Sequence, residues 1–395
     1  MAPARPRPKI LIISFSDLDR DPRVRRQATC LRDAGYRVSL AGYGQTAVEG
    51  CDFLRLPERP LTIARRLAIA ARQMPTNLSA RLAVPGYWAD RGVRESWRRL
   101  KGEDADLIYA NDLSALPLGA RLKARRAARL VYDSHEFFAE ENLHSLKWRL
   151  VFRRYNRALE RHYIGAADRI VTVSHGIARA LQTLHGLNST PQVVRNVPPH
   201  HACAYRPCGP AVSVLFHGTF HGDRGLETLI DSVTDWRPGL HLTIRGTGNP
   251  AYVAALRQRA ATRAPGRIEI VPAVAPAQVI PAANQADIGI YCAPVGSVQT
   301  QFNLPNKVFE YVQAGLCLCV TPSREIAELV QHYDLGVVCP AADAEALAAA
   351  LNGLDEARIN RCKQNALRAA PDLSWEREQT VLLRLVEDLL TAEQS

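Results

Sequence analysis

The chain has 395 residues, 47% hydrophobic and 23% charged, too long for one compact core and suited to two domains. Its net charge of +11 is uneven: residues 1–200 hold 34 Lys and Arg against 19 Asp and Glu (net +15), while residues 201–395 net −4, which predicts two domains with different partners, the first meeting something anionic. No apolar stretch approaches the ~18–20 residues of a spanning helix, the run Ile10–Phe15 is too short for a signal-peptide core, and nine cysteines without a Cys-x-x-Cys pair fit reduced thiols in a cytoplasm rather than a disulfide framework.

In chain order, Lys9–Phe15 reads as a buried strand, Asp21–Ala34 as a helix stopped by Gly35, and Tyr36–Gly42 as the next strand. Strands follow at Asp106–Ala110, Arg129–Asp133 and Arg169–Val173, each leading into helical sequence. Asn196–Pro210 carries four prolines and no periodicity, so it reads as a connector. The rhythm then resumes with strands at Val212–His217, His241–Arg245, Arg267–Val271, Asp287–Tyr291, Leu316–Val320 and Gly336–Val338. Helices are expected at Gly225–Val233, Tyr252–Thr262, Lys307–Ala314 and Ala344–Leu351. Such alternation, occurring twice, predicts an α/β chain of two doubly wound, Rossmann-like parallel sheets, residues 1–200 and 201–373. Sheets of this kind hold ligands at the carboxyl ends of their strands, and a pair of them in the crevice between.

Several windows fall at predicted strand ends. Ser14–Arg23 lacks Gly-x-Gly-x-x-Gly, which argues against a dinucleotide cofactor. Within it Asp17 sits in the loop, and Asp21 with Pro22 makes a helix cap and first turn. Arg23, Arg25 and Arg26 oppose the helix dipole there, so they read either as solvated surface or as contacts to an anion. Asp133, Ser134, His135 and Glu136 leave a strand end together, and Asn111-Asp112 opens on the same side; capping of the next helix by Asp133 or Ser134 is the plain alternative. Three arginine-rich segments, Leu61–Lys101 with Trp88 and Trp97, Arg121–Arg129 and Leu146–Tyr163, suggest anionic lipid headgroups met by basic faces with interfacial aromatics. A solvated basic surface is the alternative. In Leu146–Tyr163 the apolar positions 148, 151, 152, 155 and 159 share one helical face.

In the second half, His217–Gly225 joins a strand to a helix through glycines, with Arg224 as a fixed cation, a pattern suited to a phosphate. Arg245–Asn249 is a second Gly turn. In Asn303–Tyr311, Pro305 starts a helix, Lys307 lies in its first turn and Glu310 one turn on. Lys307 opposes the dipole unless an anion is nearby, and Glu310 can accept hydrogen bonds from two sugar hydroxyls; an exposed i,i+3 pair is the alternative. His200, His201, Cys203 and Cys208 match no common zinc spacing, and no metal is expected.

The sequence resembles the large retaining family 4 of GT-B glycosyltransferases across essentially the whole chain. The resemblance is carried by Asp-Pro-Arg-Val-Arg-Arg at 21–26, Tyr-Asp-Ser-His-Glu at 132–136 and Ala-Asp-Arg-Ile-Val-Thr-Val-Ser at 167–174. It continues in the Gly turn at 217–225, Ala-Asp-Ile-Gly-Ile at 286–290 and Leu-Pro-Asn-Lys-Val-Phe-Glu-Tyr at 304–311. It implies a nucleotide-diphosphate sugar held mainly by the second domain, through Gly218, Thr219, Arg224, Gly246, Asn303, Leu304, Asn306, Lys307 and Glu310. Arg224 and Lys307 match the diphosphate-binding basic pair and Glu310 the ribose-binding glutamate. His135 matches a first-domain histidine that contacts the transferred sugar, and His135, Arg224, Lys307 and Glu310 are the implied catalytic set. A lipid-linked or polysaccharide acceptor falls to the first domain, with Asp17, Arg23, Asp112, Asp133 and His135 as candidates. Residues 374–395 resemble the last helix that crosses back onto the first domain. The chain departs from the family at Thr219, where many relatives have Arg, and at Phe302, where they often have Glu.

The expected activity is retaining, metal-independent sugar transfer in bacterial-type surface polysaccharide synthesis, cytoplasmic or peripheral on the inner membrane face. Alternatives are an inverting enzyme with Asp17, Asp112 or Asp133 as base, a nucleotide-sugar isomerase, and a catalytically silent nucleotide-sugar-binding subunit. Nucleic acid is the least expected partner.

Overall fold

A computed structural model describes residues 7–45, 48–58, 60–137 and 146–391. The chain divides into two compact units. The first runs to Arg195 and includes Ser297–Gln299 and the C-terminal segment from Gln379; the second comprises Asn196–Gly296 and Thr300–Glu378.

The first unit is built on seven parallel strands: β1 (Lys9–Asp17), β2 (Arg37–Tyr43), β3 (Asp52–Arg55), β4 (Leu107–Asn111), β5 (Arg129–Ser134), β6 (Arg169–Thr172) and β7 (Gln192–Val193), in the order β3-β2-β1-β4-β5-β6-β7. Ile10–Ile13 are at most 1% exposed, as a strand covered on both faces requires. The helix Pro22–Asp33 starts where expected: the Asp21 carboxylate accepts from the Arg23 and Val24 amides, and Pro22 fills the first turn. β3 and β7 are additional to the strands read from the sequence. β3 is a half-buried edge with only two apolar residues, and β7 has two residues in all, so neither leaves a hydrophobic run.

The segment expected as one helix over Leu146–Tyr163 is two, Leu146–Val151 and Arg153–Tyr163. Their shared apolar face is nonetheless the buried one, with Trp148, Val151, Tyr155 and Leu159 in the core. The aromatics expected at a lipid surface are differently employed. Trp88 and Trp97 stack edge-to-face, the Arg121 guanidinium lies 4.4 and 4.5 Å from their ring centroids, and Trp88 Nε1 donates to Tyr163 Oη. Trp88 and Trp97 are therefore half-buried and pack against the core of the first unit.

The second unit has six parallel strands: β8 (Val212–Phe220), β9 (Leu240–Gly248), β10 (Ile268–Pro272), β11 (Ile288–Tyr291), β12 (Cys317–Val320) and β13 (Gly336–Val338), in the order β10-β9-β8-β11-β12-β13. Both sheets reverse strand order once, between β1 and β4 and between β8 and β11. A crevice opens beyond the strand ends at such a reversal, because the two flanking connections leave in opposite directions. No helix among the described residues is long and apolar enough to cross a membrane.

Candidate active site

In the second unit, the loop after β8 and the start of the helix Asn306–Gln313 converge at the reversal between β8 and β11. Gly218 has φ +132°, and a Cβ there would sit 3.3 Å from Lys307 Nζ, so glycine leaves room for the lysine. The ammonium lies 4.2 Å from the Phe216 ring centroid. Burial, then the nearby Arg224 charge, pulls the Lys307 pKa down to about 8. Arg224 is about one-third exposed, on the turn Gly222–Arg224. The turn is set by Gly225: at φ +71°, a Cβ would meet the Cys292 carbonyl at 2.1 Å, so only glycine lets the turn seat on the end of β11. Two cations that repel each other at one strand edge define a place for an anion. The helix Asn306–Gln313 adds to it, because Pro305 precedes its first turn and offers no side-chain cap to the free amides.

Glu310 lies one turn further along the same helix. Its Oε2 is 2.9 Å from Nε2 of His217, which is buried at the end of β8. His217 is held from two sides: its ring packs 4.6 Å from that of Tyr311, and its amide donates to Tyr311 Oη. Gly289 admits that tyrosine, since a Cβ there would fall 2.4 Å from its ring. Glu310 is thus oriented with one oxygen committed and the other available to ligand hydroxyls. Four buried polar atoms of the second unit's candidate windows have no hydrogen-bond partner among the described residues: Asn303 Oδ1, Arg245 Nη1 and both ring nitrogens of His217, whose Nε2 meets Glu310 at ion-pair distance only. Buried polar atoms are rarely left so unless something else satisfies them.

In the first unit, Asp112 starts the helix Asp112–Lys123 at φ +67°. This conformation costs a non-glycine residue about 1–2 kcal/mol. It is the strained residue whose carboxylate meets His135, Oδ2 to Nε2 at 3.0 Å. Burial works against the imidazolium, but Asp112 outweighs it, with Asp133 adding, and the His135 pKa rises to about 9. His135 is therefore a cation at neutral pH, suited to donating a proton in a hydrogen bond rather than to taking one up.

The remaining candidates separate. Lys307, Arg224, Gly218, Asn303, Leu304, Asn306 and Glu310 lie along the two converging segments. Thr219 is exposed on β8 beyond Gly218. Gly246 pairs with Gly218 across β8 and β9, where a Cβ would meet the Gly218 carbonyl at 1.8 Å, so it is required by strand packing. Arg23 and Asp133 are turned inward: they form a bidentate pair at 2.8 and 3.0 Å, 2% and 0% exposed, with Gln27 also donating to Asp133 and Arg23 donating to the Val194 carbonyl. They tie the first helix to β5 and face no solvent. Asp17 is part-exposed at the end of β1, where it accepts from the Asp19 amide. His217 and Arg245 are not singled out by sequence reasoning; they face each other across β8 and β9, each directly before a glycine of the marked windows.

The family model described as Glycosyltransferase Family 4 matches residues 23–199, and that described as Glycosyl transferases group 1 matches residues 211–356. The chain is a GT-B glycosyltransferase of the family 4 type. The two models fall on the two units in turn. The fold of this glycosyltransferase is similar to that of sucrose-phosphate synthase from Thermosynechococcus elongatus, at 17% identity over 98% of this chain and 100% of that one, TM-score 0.75. It is also similar to Anabaena HepE in complex with UDP, at 16% identity over 96% and 100%, TM-score 0.67. A third similar fold is WaaG, a glycosyltransferase involved in lipopolysaccharide biosynthesis, at 15% identity over 97% and 99%, TM-score 0.66. No curated protein sequence matches this glycosyltransferase significantly.

Proposed function

We propose that the chain transfers a sugar from a nucleoside-diphosphate sugar to a lipid-linked or polysaccharide acceptor, with retention of anomeric configuration and without a metal ion. The observation that carries this reading is the Arg224–Lys307 cation pair beside the uncapped helix start, with Glu310 one turn away. As the sugar–phosphate bond breaks, negative charge grows on the departing diphosphate. Fixed cations and amide N–H groups at that oxygen lower the barrier because they need no reorganisation. Glu310 holds the ribose hydroxyls, and uridine diphosphate is the first nucleotide to try, since HepE is seen with UDP and with UDP-glucose. His135 donates to a hydroxyl of the transferred sugar. Retention is supported by how the first-unit carboxylates are employed: Asp133 is sealed by Arg23 and Gln27, and Asp112 is engaged by His135. Of the three carboxylates an inverting enzyme could use as base, only the part-exposed Asp17 is then left, whereas the departing phosphate can take the acceptor proton itself. The test is NMR of the product formed from UDP-glucose and other α-linked donors. An α-linked product is expected, and a β-linked product would replace this mechanism by an inverting one.

The pH dependence follows from the two shifted groups. Below pH 8 both Lys307 and His135 are charged. As pH rises through about 8, Lys307 loses its proton in the empty site, and diphosphate affinity falls; through about 9, His135 becomes neutral as well. The profile of kcat/KM is expected to descend above pH 8, and binding of the diphosphate at pH 8.5 should take up protons, read by calorimetry in buffers of different ionisation enthalpy. A flat profile to pH 10 would remove Lys307 from the diphosphate.

We further propose that the first unit rests on an anionic membrane surface. Ile63, Leu67, Met74, Leu78 and Leu150 are each more than half exposed. The Asn77 side chain donates to the Leu150 carbonyl and Arg154 to that of Asn77, joining the two segments. Sedimentation with phosphatidylglycerol vesicles should fall steeply between 50 and 500 mM salt, quantities chosen to span roughly a threefold change in screening length. Binding that ignores salt, or survives Ile63→Ser with Leu67→Ser, would contradict it.

A further inference from the structure

The end of the helix Asn306–Gln313 that carries Lys307 has no side-chain cap, and the lysine lies near the like charge of Arg224. The opposite end is fixed. Gln313, the last residue of the helix, is fully buried and makes every hydrogen bond open to a carboxamide. Its Oε1 accepts from the His201 amide at 3.0 Å and meets Nδ1 of His200 at 3.1 Å; its Nε2 donates to the carbonyls of Ala370 and Leu373 at 2.6 and 3.0 Å. A backbone amide can only donate and a carbonyl only accept, so these partners decide which way round the side chain stands. A second carboxamide repeats the join: Asn284 Nδ2 donates to the carbonyl of Ala314, which closes the helix, and to that of Ala204.

His200, His201 and Ala204 belong to the proline-rich stretch that reads from the sequence as a connector. It is bonded along its length to the second unit. The Pro198 carbonyl accepts from the Trp375 amide, the His200 amide donates to Glu376, and Tyr205 Oη and the Cys208 amide both donate to Asn360 Oδ1. The middle of this stretch passes the far end of the helix that carries Lys307 and Glu310.

A two-turn helix moves as one body. From Gln313 to Lys307 is about 9 Å of helix rise, so a shift or roll imposed at one end reaches the other. Apolar packing tolerates small rearrangements, whereas four bonds to one planar group are all strained by the same displacement. A leucine would fill this space without the cost of burying an amide, which is offset only when every bond is made. The polar side chain therefore supplies direction rather than bulk.

We infer that Gln313 is a positioning residue for the nucleotide site: with Asn284 it ties the helix to the connector and so sets where Lys307 and Glu310 meet the ligand. This rests on the proposed donor reading and adds what holds two of its side chains in place. Gln313 acts through the helix rather than on the ligand.

The test is calorimetric titration of the full chain with UDP at pH 8.5, beside thermal unfolding, with GDP or ADP in its place should either bind the wild type more tightly. Gln313→Leu leaves the His201 amide and two carbonyls buried without partners, and Gln313→Glu keeps the acceptor but sets an oxygen against those carbonyls. Both should lower Tm, and both should weaken the diphosphate by about tenfold, the size of one misplaced charge-assisted contact. Proton uptake on binding should fall by about half or more, because a displaced helix lets water reach Lys307, which then keeps its proton in the empty site. Arg267→Ala is the control for stability alone. Its guanidinium donates to the carbonyls of Val233, Trp236 and Arg237 beside the amino end of β10, so Tm should fall with affinity and proton uptake unchanged. Asn284→Ala removes only a half-buried side chain and should weaken the diphosphate by about threefold. Wild-type affinity and proton uptake in the Gln313 variants, whatever their Tm, would overturn the inference, as would equal weakening in Arg267→Ala. Should neither Gln313 variant fold, the same reading of Asn284→Ala decides. No diphosphate binding in the wild type would overturn the donor reading itself, whereas binding shared equally by wild type and variants overturns this inference alone.

Discussion

Replacing Lys307 with alanine is expected to lower sugar transfer by about 10²–10³-fold, the usual cost of removing one group that stabilises developing charge. The effect belongs to the charge rather than to packing. Lys307 lies over Phe216 and against Gly218, so Lys307→Met keeps most of those contacts and should lose transfer to the same extent. Diphosphate affinity should weaken by about 10–100-fold in both variants, in line with the loss of a charge-assisted hydrogen bond. Initial rates at saturating donor, together with thermal unfolding to show an intact fold, separate these effects. Full activity in Lys307→Met would remove the lysine from the reaction.

The second large effect is on stability. Arg23→Ala leaves the Asp133 carboxylate buried with Gln27 and Tyr109 as its remaining partners. Breaking a buried pair from one side costs about 3–5 kcal/mol, because the surviving charge is no longer compensated. Urea unfolding followed through the first unit should show a midpoint shifted down accordingly. The double variant Arg23→Met with Asp133→Leu should recover much of the loss, since neither charge then remains. A double variant as unstable as the single one would mean that Arg23 matters mainly through its bond to the Val194 carbonyl.

These two residues also mark where sequence reading stops. Arg23 sits two positions after a helix cap, where a cation opposes the dipole, and that conflict suggested a ligand. The conflict is real, but its resolution is a carboxylate 110 residues away on β5. Local spacing carries no information about that partner. The same holds for Trp88 and Trp97, whose placement among arginines resembled a lipid-facing belt. Arg121 sits against both rings from another helix, which only tertiary packing can place.

Where the signal was local, it was legible. Short apolar runs marked eleven of the strands to within a few residues, and Asp21-Pro22 marked a helix start that the cap geometry bears out. The glycines at 218 and 225 were noticed as a phosphate-type turn. Their structural reasons are specific: room for Lys307 at the first, and seating on the Cys292 carbonyl at the second. His217 could have been found by asking which residue ends the apolar run Val212–His217 just before Gly218. The pairing of Asp112 with His135 could not, because it depends on a strained backbone at Asp112.

The central claim is that the end of β8 and the start of the helix Asn306–Gln313 form a nucleoside-diphosphate site. Calorimetric titration with UDP, alongside GDP, ADP and uridine, tests it most directly, in the wild type and in Lys307→Met. One diphosphate should bind with proton uptake near pH 8.5, the free nucleoside should bind far more weakly, and Lys307→Met should abolish the proton uptake while weakening the affinity. Diphosphate binding of equal strength in Lys307→Met, with the same proton uptake, would contradict it.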